Sequence, residues 1–130
     1  MKVVFADVPM AQLKGEAVTE SPNLGIIYII SYVRERLENV EFHYLEPFLS
    51  LEEHLSKVAE LKPDVYGISF TTQKKALGYE AIQKVRQLFP DALIMAGGAH
   101  PTIDPEDVFM NSETDVCIVG EGEETFRELL

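Results

Sequence analysis

The sequence is poor in sulfur. Cys117 is its single cysteine, so no disulfide closes within the chain, and one thiolate is too few for an iron–sulfur cluster or a structural zinc site. It is also short of positive charge. Eleven Lys and Arg stand against 22 Asp and Glu, a formal charge of −11 that repels nucleic-acid backbones and anionic membranes alike. No apolar run approaches the ~20 residues of a membrane span. The opening Met1–Ala6 is too short for a signal-peptide core and runs into Asp7. These absences point to a cytoplasmic protein with no nucleic-acid and no membrane partner. Phosphate-binding signatures are missing too: no lysine-bearing P-loop and no Gly-x-Gly-x-x-Gly follow the first apolar run. A phospho-acceptor receiver would need an aspartate where Ser69-Phe70-Thr71 stands.

What is present fits one domain. A length of 130 residues with 46% hydrophobic and 25% charged residues is enough for a real core and ordinary for a globular protein. Short apolar runs alternate with segments of helical period. Val3 to Ala6, Glu41 to Leu45, Val65 to Phe70, Ala92 to Ala96 and Val116 to Val119 read as strands, the second of them at a sheet edge. Between them, residues 25–38 carry Ile26, Ile30, Val33 and Leu37 at helical spacing. Leu51, Leu55, Val58 and Leu61 form the stripe of a helix capped by Ser50 and stopped by Lys62-Pro63. Lys75 to Phe89 is a helix with Tyr79, Ile82, Val85 and Phe89 inward, ended by Pro90-Asp91. Asp104-Pro105 is an N-cap followed by proline at the first helical position, and a last helix begins near Glu124. Such alternation implies right-handed crossovers and an α/β fold: a flavodoxin-like (Rossmann-like), doubly wound, five-stranded parallel sheet of order 2-1-3-4-5. The chain ends inside an apolar helical pattern with no C-cap signal, so a fragment of a longer protein is expected.

Ligands of such sheets bind beyond the carboxyl ends of the strands. Three of those ends are rich in glycine or hydroxyls: Ser69, Thr71 and Thr72; Gly97-Gly98-Ala99-His100-Pro101-Thr102; and Gly120-Glu121-Gly122-Glu123. Bare glycine lets a large ligand approach the backbone, and hydroxyls at a strand end can donate or accept. The stretch from Asp7 to Leu24 exceeds the ~2–6 residues of an ordinary connector and reads as a flap over the site. His43 on the edge strand and His54 on the polar side of its helix read as solvated surface residues, and Cys117 as a small core residue. His100 stands at the ligand edge, for ligand contact or for a hydrogen bond that stabilises the turn.

Four segments, in this order and spacing, resemble the cobalamin (B12)-binding domain found at the N-terminus of B12-binding radical S-adenosylmethionine (SAM) proteins. They are Ser21-Pro22-Asn23-Leu24-Gly25, Gly67-Ile68-Ser69-Phe70-Thr71, Gly97-Gly98-Ala99-His100-Pro101-Thr102 and Asp115-Val116-Cys117-Ile118-Val119-Gly120-Glu121-Gly122-Glu123. Within that group the chain is similar to the anaerobic magnesium-protoporphyrin IX monomethyl ester cyclase type. The resemblance implies cobalamin as cofactor. Gly97 and Gly98 would make room for its nucleotide tail, and Ser69 and Thr71 would face the dimethylbenzimidazole. His100 and Pro101 match the loop beyond the glycine pair, and Gly120, Glu121 and Gly122 the signature closing the last strand. One departure matters: Pro22 stands where better-known cobalamin domains place the cobalt-ligating histidine of an Asp-x-His-x-x-Gly motif, and proline has no side-chain donor atom. The resemblance further implies a parent enzyme whose 4Fe-4S cluster and S-adenosylmethionine belong to a downstream radical SAM domain, performing methyl transfer or oxidative cyclisation. Two other readings remain open: a degenerate docking domain that keeps the fold without cobalamin, and a small binding protein for another ligand such as a flavin. A bulky residue at Gly98 is expected to weaken cobalamin binding without unfolding the sheet.

Overall fold

The computed structural model describes residues 1–9, 31, 34–36 and 38–119. Five strands, β1 (Lys2–Asp7), β2 (Glu41–Leu45), β3 (Val65–Ser69), β4 (Leu93–Gly97) and β5 (Val116–Cys117), form one sheet in the order β2-β1-β3-β4-β5. Every pairing is parallel. The helices whose whole span lies among the described residues are α1 (Leu51–Leu61), α2 (Lys75–Leu88), α3 (Ala99–Ile103) and α4 (Pro105–Asn111), with a 3-10 turn at Thr72–Lys74. The expected strand order and the edge position of β2 are both observed.

Period-two alternation divides the core between the two faces of the sheet. Val4 and Ala6 of β1, Tyr66 and Ile68 of β3 and Ile94 and Ala96 of β4 pack with Val58 of α1, Ala81, Ile82 and Val85 of α2 and Val108 of α4. Val3, Phe5, Phe42, Val65 and Met95 form a second cluster on the opposite face. Gly67 belongs to this face because a Cβ there would stand 2.6 Å from the Phe5 ring.

Local signals explain most boundaries. Ser50 caps α1 in a reciprocal capping box with Glu53, and Lys62 ends the helix in a left-handed conformation with φ of 54°. Asp104 accepts from the Asp107 amide and Pro105 opens α4, as the sequence predicts. Three findings differ from expectation. The stretch after Gly98 is itself a short helix, α3, whose turn is closed by Thr102 N donating to Gly98 O. The fifth strand ends at Cys117, although Ile118 N still donates to Ala96 O at 2.8 Å. His54 is not a surface residue but wholly buried, its Nε2 2.7 Å from the Tyr66 hydroxyl. Ser31 and Arg34 are helical, within the predicted 25–38 helix; the rest of that helix, the flap and the terminal helix fall largely or wholly outside the described residues.

Candidate functional site at the carboxyl rim of the sheet

The carboxyl ends of three adjacent strands are level. Asp7 pairs with Ser69 and Ser69 with Gly97, so an acid, a hydroxyl and a bare backbone stand side by side. The β1/β3 boundary is where the strand order reverses, the place at which doubly wound sheets open a crevice. Backbone bonds tie the rim together: Val8 N donates to Ser69 O at 3.3 Å, Phe70 N to Gly97 O at 3.2 Å and His100 N to Phe70 O at 3.2 Å. Asp7 is held from the edge strand by the Tyr44 hydroxyl, which donates to its carboxylate at 2.5 Å.

The two glycines of the rim do different work. Gly98 has a φ of 99°, and a Cβ there would lie 2.6 Å from Ser69 Oγ and 3.0 Å from both backbone N and O of Phe70. Its lack of a side chain is therefore required by the fold, which corrects the expectation that a bulky residue at Gly98 would disturb only a ligand. Gly97 is the opposite case. Among the described residues a Cβ at Gly97 would meet only Ile118 Cβ, at 3.8 Å, an ordinary van der Waals contact, so these residues do not require the position to be bare.

Thr71 and Thr72 are exposed directly after β3, as are Gly98 and Ala99 after β4, while Ser69 is half-buried. Pro101 is buried within α3. His100 is only 3% exposed and directs its ring inward, to Thr72, Tyr79 and Asp107. Of the two roles open for it, the observed contacts are those of a residue that stabilises the loop. Gly120, Glu121 and Gly122 lie outside the described residues. Tyr79 and Asp107 are partners that sequence reasoning missed. Tyr79 reads as one more apolar residue on the inward stripe of α2, and Asp107 as an ordinary first-turn acid, until the fold stacks their elements. Tyr79 packs edge-on against Phe70 at 5.7 Å and donates to Asp107 at 2.5 Å. Burial first, and then that carboxylate, push the Tyr79 hydroxyl pKa upward.

The other titratable groups among the described residues offer no competing site. His43 is bonded to Glu41 on the edge strand at 2.8 Å. The Cys117 thiol is half-buried and its pKa is raised by burial, which fits an inert core residue. No cluster of three metal-ligating side chains occurs among the described residues, nor does any helix there long and apolar enough to cross a membrane. A groove of about 650 Å³ lies between α2 and α4, but none of the expected site residues lines it.

Comparison with known proteins gives this rim a context. The profile of the B12 binding domain matches residues 12–130. An uncharacterized methyltransferase of Pyrococcus horikoshii is 28% identical over 100% of this chain, which spans 29% of that protein. The anaerobic magnesium-protoporphyrin IX monomethyl ester cyclase of Cereibacter sphaeroides is 24% identical over 100% of the chain, which spans 22% of it. Among solved structures, the cobalamin-dependent S-adenosylmethionine radical enzyme OxsB, with aqua-cobalamin and S-adenosylmethionine bound, superposes on 98% of the chain with a TM-score of 0.83 at 18% identity. This chain covers 18% of that enzyme. A cobalamin-binding protein from Desulfitobacterium hafniense superposes on 99% with a TM-score of 0.71 at 17% identity, and 58% of it is covered. At these identities the structural likeness shows the fold.

Proposed function

The chain belongs to the B12-binding domain family, and from that premise we propose that it holds cobalamin against the carboxyl rim of its sheet, without a histidine beneath the cobalt. The observation that carries this reading is the bare backbone at Gly97, level with Ser69 and tolerant of a side chain among the described residues, with the exposed Thr71 and Thr72 following β3. A bulky cofactor tail needs backbone with no side chain in its path and small polar groups alongside, and this rim supplies both. The remaining expected contacts are the backbone of the Gly98–Pro101 loop and the Gly120-Glu121-Gly122 turn.

The absence of a histidine ligand is supported by all three histidines. His54 is buried against Tyr66, His43 pairs with Glu41, and His100 has both ring nitrogens engaged within the chain. Pro22 occupies the motif position that could otherwise have supplied one. Cobalamin, when bound, supplies a cobalt centre able to carry a methyl group or tune an electron. The chain's own part is to hold and orient it. The relatives support a further step: that the domain serves a larger radical SAM enzyme, a methyltransferase or cyclase. There the 4Fe-4S cluster and S-adenosylmethionine would be held by residues outside this sequence, whose one cysteine cannot ligate a cluster.

Reconstitution with hydroxocobalamin followed by gel filtration tests the reading. A corrin absorption band should travel with the protein, and Gly97→Leu should lose it while keeping the far-ultraviolet circular dichroism of the wild type. A colourless wild-type protein overturns cobalamin binding and favours the docking alternative. Electron paramagnetic resonance of the cob(II)alamin form, with and without nitrogen-15-labelled histidine in the protein, tests the lower ligand, since only a histidine nitrogen on cobalt would change its splitting on labelling.

A further inference from the structure

A hydrogen-bonded chain runs inward from the rim to α2 and α4. The Thr72 hydroxyl lies 3.0 Å from His100 Nδ1. His100 Nε2 lies 2.9 Å from Asp107 Oδ2 and 3.1 Å from the Tyr79 hydroxyl. The same Asp107 oxygen accepts from the Tyr79 hydroxyl at 2.5 Å and from the Lys75 ammonium at 3.3 Å, while Oδ1 accepts from Asn111 Nδ2 at 3.0 Å. Hydrogen bonds from Tyr79, His100 and Lys75 hold the Asp107 pKa down at about 2, so this group is a carboxylate and can only accept.

That acceptor dictates the direction of every other bond. Facing a carboxylate, Nε2 of His100 must carry the imidazole proton, and Tyr79, whose own proton goes to Asp107, can only accept from it. In its neutral form an imidazole protonated at Nε2 has a bare lone pair at Nδ1, whereas the doubly protonated ring donates from both nitrogens. With the ring neutral, Thr72 donates its hydroxyl proton inward to Nδ1, and the lone pairs of its oxygen are left to a donor from outside.

We infer that His100 is a positioning residue: anchored by Asp107 and Tyr79, it fixes the Thr72 hydroxyl as a hydrogen-bond acceptor toward the ligand, so that this point of the rim selects an N–H-bearing group and disfavours an anionic oxygen. For the identity of that group the inference rests on the cobalamin reading. A corrin ring carries primary carboxamides along its edge, and one of them is the donor assigned to Thr72.

Two measurements on the 130-residue chain test this. Long-range proton–nitrogen spectra, recorded without any corrinoid, read the His100 tautomer. A proton on Nε2 and none on Nδ1 is expected, and a proton on Nδ1, alone or together with one on Nε2, overturns the inference whatever the chain binds. Hydroxocobalamin titration then reads the consequence. Thr72→Val should weaken binding about fivefold to tenfold, the worth of one neutral hydrogen bond, and Thr72→Ser should restore it. Asp107→Ala removes the acceptor and frees the Tyr79 hydroxyl to donate to Nε2; it should move the proton to Nδ1, invert the Thr72 hydroxyl and weaken binding as Thr72→Val does. The double variant should be no weaker than either single one, because both remove the same contact. An unchanged Thr72→Val affinity, losses that multiply, or an unmoved proton in Asp107→Ala each overturn it. Failure of the wild type to bind hydroxocobalamin removes the carboxamide and the cobalamin reading together, and leaves the orientation of Thr72 to be decided by the tautomer.

Discussion

His54 carries the sharpest lesson about single side chains. It lies three residues after Leu51 and four before Val58, so the reading that put it on the polar side of α1 followed its residue type against its spacing. Spacing won, because the Tyr66 hydroxyl from the central strand supplies a partner at 2.7 Å. The arrangement is incomplete, since Nδ1 is buried with no hydrogen-bond partner among the described residues. Burial depresses the His54 pKa to about 4 from 6.5, so the folded chain keeps the ring neutral where the unfolded chain would protonate it. Between those values the unfolded state binds the extra proton. The associated stability is therefore complete above about pH 6.5 and is lost as pH falls toward 4, by on the order of 3 kcal/mol in all. Urea unfolding measured across this window should show the slope. Tyr66→Phe should cost about 1–3 kcal/mol by stranding Nε2 as well, whereas the His54→Phe/Tyr66→Phe pair should come close to the wild type at neutral pH and lose the His54 contribution to the slope.

The helices and strands follow their local signals where those signals are strong, as at the Ser50 capping box and the Asp104-Pro105 start of α4. The short edge strand β5 is different, because its two residues offer little pairing of their own. Its entry is tied down by Arg86 of α2. The guanidinium donates to Pro90 O at 3.0 Å, Ala92 O at 2.8 Å, Glu113 O at 3.1 Å and Asp115 Oδ2 at 2.6 Å, and that same Asp115 oxygen accepts from Ile94 N at 2.8 Å. A lysine has no planar fork to reach these acceptors together. Arg86→Lys should therefore lower stability by about 1–3 kcal/mol, read as a fall in the urea midpoint at unchanged slope. None of this was legible in the sequence, where Arg86 is one more polar residue on an amphipathic helix. The helix after Gly98 was hidden for a related reason: a start at φ of 99° followed by proline mid-segment reads as a turn until the contacts of Gly98 with Ser69 and Phe70 are seen.

For the molecule as a whole, a ligand that binds only the folded chain must stabilise it by mass action. Hydroxocobalamin at a hundredfold excess over its Kd should add about 2.7 kcal/mol and raise the thermal midpoint by on the order of 10 °C, a shift that calorimetry reads directly. A midpoint that does not move with ligand concentration counts against the site. The parallel sheet, its order, its two-faced core and the hydroxyl- and glycine-rich rim were already present in the sequence, because period, punctuation and crossover handedness are local properties that survive without coordinates. The burial of His54, the difference between Gly97 and Gly98, and the Thr72–His100–Asp107–Tyr79 chain were decided by tertiary structure alone. Each depends on side chains far apart in sequence meeting across elements. Only the packed fold fixes which polar group finds a partner and which backbone must stay bare.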